Sequence, residues 1–166
     1  MFRSIGRGCA AGAAGTTALN AVAYLDMALR GRPSSSAPEA VVDKVTTVAG
    51  HPLPEGEGRG NRLSGLGALA GIAVGVGTGA VVSLLHRAGV RPPAWLGGAL
   101  TGALAMTLAD APIARLGVSD PRTWSAVDWT ADAIPHLAYG LVTYGVIASA
   151  RGCAGASGCG RHGRPG

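Results

Sequence analysis

Four glycines recur at every fourth position, Gly67, Gly71, Gly75 and Gly79, inside a stretch with no charged residue between Arg62 and His86. In water this would be a poor helix, because each interior Gly costs about 1 kcal/mol relative to Ala. A bilayer reverses the argument. Without water, the backbone must satisfy its own hydrogen bonds, and the helix is enforced. A glycine row then forms a flat groove that a second helix can approach closely. The pattern predicts a membrane-spanning helix over residues 63–86, with its packing surface along that row.

Other parts of the chain supply partners for the groove. Only 14% of the 166 residues are charged and 48% are hydrophobic. The charges leave several uncharged stretches near the roughly 20 residues that cross a bilayer. Three more spans are expected over residues 8–29, 95–116 and 130–150. The first presents Gly8, Gly12 and Gly15. The third presents Gly98 and Gly102, which are expected to meet the Gly67 row. The fold class is therefore all-α: an integral membrane four-helix bundle, residues 1–150, packed through glycines. A secretory signal peptide competes for residues 1–23, with Ala21-Val22-Ala23 as cleavage site. Gly, Thr and Asn interrupt its apolar region and argue against it.

Between the first two spans, Ser36, Pro38 and Glu39 read as a helix start. Val41, Val42, Val45 and Val48 follow at helical spacing. They predict a short amphipathic helix over residues 38–49, lying on the membrane surface or packed on the protein's own loops. Residues 55–60 read as a flexible linker. The run is no phosphate loop, since neither Gly-Lys-Ser/Thr nor a preceding strand is present. Ser125 and Asp128 fit a capping box before the fourth span. Residues 151–166 form a Gly-rich basic tail, expected to be disordered.

Four spans put both termini on one side. Arg3, Arg7, Arg87, Arg91, Arg151, Arg161 and Arg164 share it. The other side receives as many basic residues, in longer segments. The positive-inside rule weighs short segments most, so the termini are expected on the cytoplasmic side of the membrane. The basic residues form no dense patch, which excludes nucleic acid despite the net charge of +5.

The same parity gathers polar residues toward one leaflet. Asp26 ends the first span, Asp110 lies late in the third, and Asp132 and His136 open the fourth. Asp110 follows Trp95 by about 22 Å of helix, past the bilayer midplane. A carboxylate at that depth faces protein or a water-filled cavity. His136 is the natural partner for Asp110 or Asp132. Tyr139 lies one turn deeper, and Asn20 and Thr107 extend a polar path inward. One reading is a proton or cation site; the other, weighted more heavily, is a hydrogen-bonded cluster that fixes helix ends.

Other chemistry is excluded by its missing parts. Asp132 and His136 share a helical face, but no second ligand pair or His-Glu-x-x-His accompanies them. Cys153, Cys159 and His162 match no common zinc spacing. Ser83 and Ser125 lack a nucleophile motif such as Gly-x-Ser-x-Gly. No cofactor, metal or enzymatic activity is expected.

The runs Gly-Ala-Ala-Gly-Thr-Thr-Ala-Leu-Asn (12–20), Asn-Arg-Leu-Ser-Gly-Leu-Gly (61–67) and Pro-His-Leu-Ala-Tyr-Gly-Leu-Val (135–142) resemble small uncharacterised multi-pass membrane proteins of high-GC Gram-positive bacteria. The resemblance implies integral membrane location and brings no activity. The expected role is structural or interaction, with the bilayer and a second copy, through glycine faces, as partners. A small proton, cation or solute transporter using Asp110 and His136 is the alternative.

Overall fold

The computed structural model describes residues 1–149. The expected tail over 151–166, with Cys153, Cys159 and His162, lies outside the described residues. Within them the chain is all-α: α1 (Phe2–Arg30), α2 (Ala37–Val48), α3 (Arg59–Arg87), α4 (Ala94–Arg115) and α5 (Ala126–Ser149). A 3₁₀ turn, Pro121–Thr123, precedes α5. Among the described residues, α3 and α4 are long and apolar enough to cross a membrane. The other two expected spans, α1 and α5, are long but carry more polar residues, Thr16, Thr17 and Asn20 in one and Asp132 and His136 in the other.

Several boundaries differ from expectation. α1 begins at Phe2 rather than Gly8. α3 begins at Arg59, inside the segment read as a linker, because Arg59 is tied to Asp43 of α2 at 2.5 Å and to Glu55 at 3.3 Å. α5 begins at Ala126, set by the capping box: Ser125 N donates to Asp128 Oδ2 (2.9 Å) and Asp128 N to Ser125 Oγ (3.2 Å). α2 packs on the first turns of α3. Pro38 lies over Gly67, and Ser64 Oγ donates to Glu39 Oε1 at 3.2 Å.

The four long helices are ordered α3–α1–α5–α4 around the bundle, with α1 antiparallel to α3 and to α5. α1 and α3 meet backbone to backbone. A Cβ on Gly8 would stand 2.6 Å from Gly79 O, and one on Gly79 would stand 2.7 Å from the Gly12 Cα. α4 and α5 meet the same way, with Gly102 against the His136 carbonyl and Gly140 against Gly98 and Gly102. Gly15 makes room on α1 for Tyr139 and Thr143 of α5.

This corrects the expected pairing at three points. Gly98 and Gly102 pack on α5, not on the Gly67 row of α3. Gly67 serves α2, while Gly71 has no neighbour within 4 Å of a Cβ. Only Gly75 and Gly79 of the row receive a long helix. A four-residue step overshoots one helical turn by about 40°, so the row winds off any single face. The short turn between α3 and α4 does not make them close partners either. Tyr144 of α5 wedges between them, its ring against Gly97, its hydroxyl donating to Pro92 O at 2.9 Å, and its edge on His86 at 5.8 Å.

Most of what is buried is small or hydroxylated, with Val82 and Ile147 the large aliphatic exceptions among the described residues, and many large apolar side chains face out. Gly8, Ala11, Gly12, Thr78, Ser83, Thr101, Gly102 and Thr143 lie inside. Leu69, Leu100, Ile134 and Leu141 are 62%, 56%, 56% and 47% exposed. Three of the buried hydroxyls bond to carbonyls of neighbouring helices, Tyr139 to Gly75 O (2.6 Å), Ser83 to Ser4 O (2.8 Å) and Thr143 to Ala11 O (3.4 Å), while Thr101 bonds to Gly97 O of its own helix (2.7 Å).

Gly71 and Gly79 of α3 should therefore part company on substitution. Gly79→Leu should lower the melting temperature in detergent sharply, an overpacking penalty of about 3 kcal/mol or more. Gly71→Leu should melt within a degree or two of the parent. In Tyr144→Phe, loss of the bond to Pro92 O should destabilise by about 1 kcal/mol.

Candidate functional site

The α1, α3, α4 and α5 helices divide their charged residues between the two ends of the bundle. At one end stand Arg3, Arg7, Arg87 and Arg91, beside the α3–α4 turn. At the other are the end of α1, α2, the end of α4 and the start of α5, where the acidic residues gather. The capped start of α5 fixes this second end. Asp128 accepts hydrogen bonds from the Ser125 side chain and backbone, which hold its carboxyl below the usual carboxylate range.

One turn further along α5, Asp132 and His136 stand at i, i+4 and face each other. His136 Nδ1 lies 2.9 Å from the Asp132 carbonyl and 3.2 Å from its carboxylate Oδ1. A ring N–H shared between the two acceptors fixes the orientation of the imidazole, as a neighbouring carboxylate does for histidines generally. The second carboxylate oxygen of Asp132, Oδ2, is buried with no donor in reach. Asp110 comes from α4. Because Gly102 lets α4 approach the His136 backbone, Asp110, two turns further on, is brought against this face of α5. Asp132 and His136 are the charged groups that act on its carboxyl. The three side chains thus form one half-buried group between α4 and α5.

The other residues expected at this site lie elsewhere. Asp26 is paired with Arg30, at 2.6 Å, and with Arg32. It borders a small cleft between α1 and α5 lined by Val22, Ile134 and Pro135. Tyr139 turns away from His136 toward α1 and α3, where its hydroxyl is held by Gly75 O. Three residues turn the helix by 300°, a 60° offset, and Tyr139 is the one of the two directed at the α1–α3 seam. Thr107 closes a bond to its own helix, at Ala103 O, 2.8 Å. Asn20 is half-buried on α1 and forms no hydrogen bond to the group. The inward polar path through Asn20 and Thr107 is therefore not formed.

Sequence reasoning missed the hydroxyls at the centre of the bundle, Thr78, Thr101 and Thr143, and the Tyr144 wedge. The i, i+4 pair Tyr139 and Thr143, beside Gly140, was the available signal: a small residue flanked by hydroxyls marks a face that meets backbone. Among the described residues no group of three or more His, Cys, Asp or Glu is arranged to hold a metal ion. The chain matches no family model, no curated protein and no solved structure.

Proposed function

We propose that this chain is a multi-pass integral protein of a bacterial plasma membrane, with α1, α3, α4 and α5 crossing the bilayer. Its role in this reading is structural or interaction, and it is not an enzyme. One observation carries the membrane assignment. The bundle places glycine, alanine and hydroxyls at its helix seams and leaves large apolar side chains outside on each long helix: Leu25 and Leu29 on α1, Leu69 and Ile72 on α3, Leu100 and Leu108 on α4, Ile134 and Leu141 on α5. That apolar belt suits lipid. The half-polar helices α1 and α5 are compatible with it because Thr16, Thr17, Tyr139 and Thr143 bond to carbonyls and His136 to Asp132.

Orientation follows from the end that gathers Arg3, Arg7, Arg87 and Arg91 in short segments, which favours a cytoplasmic position for both termini. The bilayer is the primary partner. Most glycines at helix contacts are consumed within the chain. Gly71, left open by its own fold, is where association with a second copy would be sought.

Two measurements test this reading. The protein should remain with the membrane pellet after alkaline carbonate extraction; release into the supernatant would contradict it. In a variant with Cys9, Cys153 and Cys159 replaced by Ser, a cysteine at Glu57 should react with an impermeant maleimide on intact cells, and one at Val90 should not. The reverse pattern would invert the orientation.

A second reading, small-ion or proton transport, is favoured by the meeting of Asp110, Asp132 and His136 between two helices. In reconstituted vesicles, a pH gradient should then drive a flux that Asp110→Asn abolishes without loss of helicity. A wild-type protein silent under every imposed ion gradient would end this reading.

A further inference from the structure

Basic residues scattered along the sequence are collected by the fold at one end of the bundle. There the α1–α3 seam is fixed by Ser83 Oγ, which donates to Ser4 O at 2.8 Å, and by Gly8 against Gly79. Arg3 precedes Ser4 on α1, and Arg7 follows it by about one turn. Arg87 lies about one turn beyond Ser83, at the end of α3. Arg91 follows in the α3–α4 turn, where its Nε donates to His86 O at 3.2 Å.

No carboxylate answers these arginines. All nine acidic residues of the chain fall within residues 26–57 or 110–132, toward the opposite end. Arg30, Arg32 and Arg59 find carboxylate partners there. Arg7 shows the deficit most clearly. It shares a helical face with Ser4 and Ala11, both buried, and its Nε is closed off from solvent with no hydrogen-bond partner among the described residues. A guanidinium that stands wholly in water needs no partner, but one held partly inside protein gains from a nearby negative charge. Phe2 and Trp95, 90% and 70% exposed, stand at the same end. Exposed aromatic residues at the rim of a membrane protein mark the headgroup level. At that level the negative charges within reach of arginine are lipid phosphates, which its planar fork of N–H donors grips well.

We propose that the end of the bundle carrying Arg3, Arg7, Arg87 and Arg91 is a binding surface for the phosphate headgroups of anionic phospholipids in the adjoining leaflet.

This surface presupposes the membrane reading above and adds the lipid class that the chain prefers. It differs from the general attraction of a basic protein to an anionic membrane, because the preference belongs to one end and to named side chains.

Trp95 reports on it directly. In a full-length Trp124→Phe/Trp129→Phe variant, Trp95 is the remaining tryptophan. The protein is reconstituted into equimolar phosphatidylglycerol and phosphatidylcholine, with brominated chains on one lipid or the other, and quenching of Trp95 is read. Phosphatidylglycerol should be favoured beside Trp95 by about fivefold, the effect of one arginine near an anionic surface. Adding Arg7→Gln/Arg87→Gln should bring the two lipids level with helicity unchanged. Adding Arg115→Gln/Arg122→Gln, toward the opposite end, should leave the preference in place. Equal quenching by the two lipids in the parent protein would overturn the proposal. So would a preference that survives Arg7→Gln/Arg87→Gln, or one abolished by excess inorganic phosphate at matched ionic strength, which would assign the surface to a soluble anion. A chain that resists carbonate extraction but is quenched equally by both lipids ends this proposal and leaves the membrane reading standing. A chain released by carbonate ends both.

Discussion

The contact of two bare backbones, α1 at Gly8 and Gly12 against α3 at Gly75 and Gly79, is the constraint on which the architecture depends. At such separations no side chain fits between the helices. Dispersion contacts along the backbones then replace the interlocking of large residues that holds a water-soluble bundle. The same device recurs where Gly140 of α5 meets Gly98 and Gly102 of α4. Large residues, displaced from these seams, are left to face outward. The apolar belt is thus a consequence of the packing, and it suits the membrane location proposed above.

Hydroxyl groups complete what the glycines begin. A helix that presents backbone to its neighbour also presents carbonyls, which hold a second hydrogen bond. Tyr139, Thr143 and Ser83 use them across helices, at Gly75, Ala11 and Ser4. Such bonds are worth about 0.5–1.5 kcal/mol each in net stability, more modest than the penalty of leaving the groups buried and unpaired. Their larger effect is to fix rotation and register. A glycine seam alone is smooth, and a tyrosine hydroxyl on one particular carbonyl is not.

This distinction explains what was legible in the sequence. The glycine spacings, the charge gaps and the Ser125–Asp128 cap announce helices and their ends, because each acts within a few residues of itself. The pairing of helices was not legible. A small face carries no address, and Gly98 and Gly102 would have suited α3 as well as α5. What decided between them was bulk elsewhere: Tyr144 occupies the gap between α3 and α4 and demands Gly97 beside it. Gly71 belongs to the row by spacing but not by contact, since the row winds as it climbs. The polar group was easier to find. Parity alone put Asp110, Asp132 and His136 at one end, and the i, i+4 spacing put the last two together. The assignment of Tyr139 and Asn20 to the same group failed because sequence proximity says nothing about which neighbour a helix face meets.

The two functional readings share one scaffold. If glycine seams order the helices as α3–α1–α5–α4, Asp110 of α4 is brought to the end of α5 that carries Asp132 and His136. If the order is otherwise, the scaffold does not survive. The most direct test is oxidative cross-linking in native membranes, in a background with Cys9, Cys153 and Cys159 replaced by Ser. Ser83 Oγ lies 2.8 Å from the Ser4 carbonyl, at the α1–α3 seam. The double variant Ser4→Cys/Ser83→Cys should form an intramolecular disulfide in high yield. Leu69→Cys/Leu100→Cys, on exposed faces of α3 and α4, should not. A cross-link in the second pair and none in the first would contradict the account.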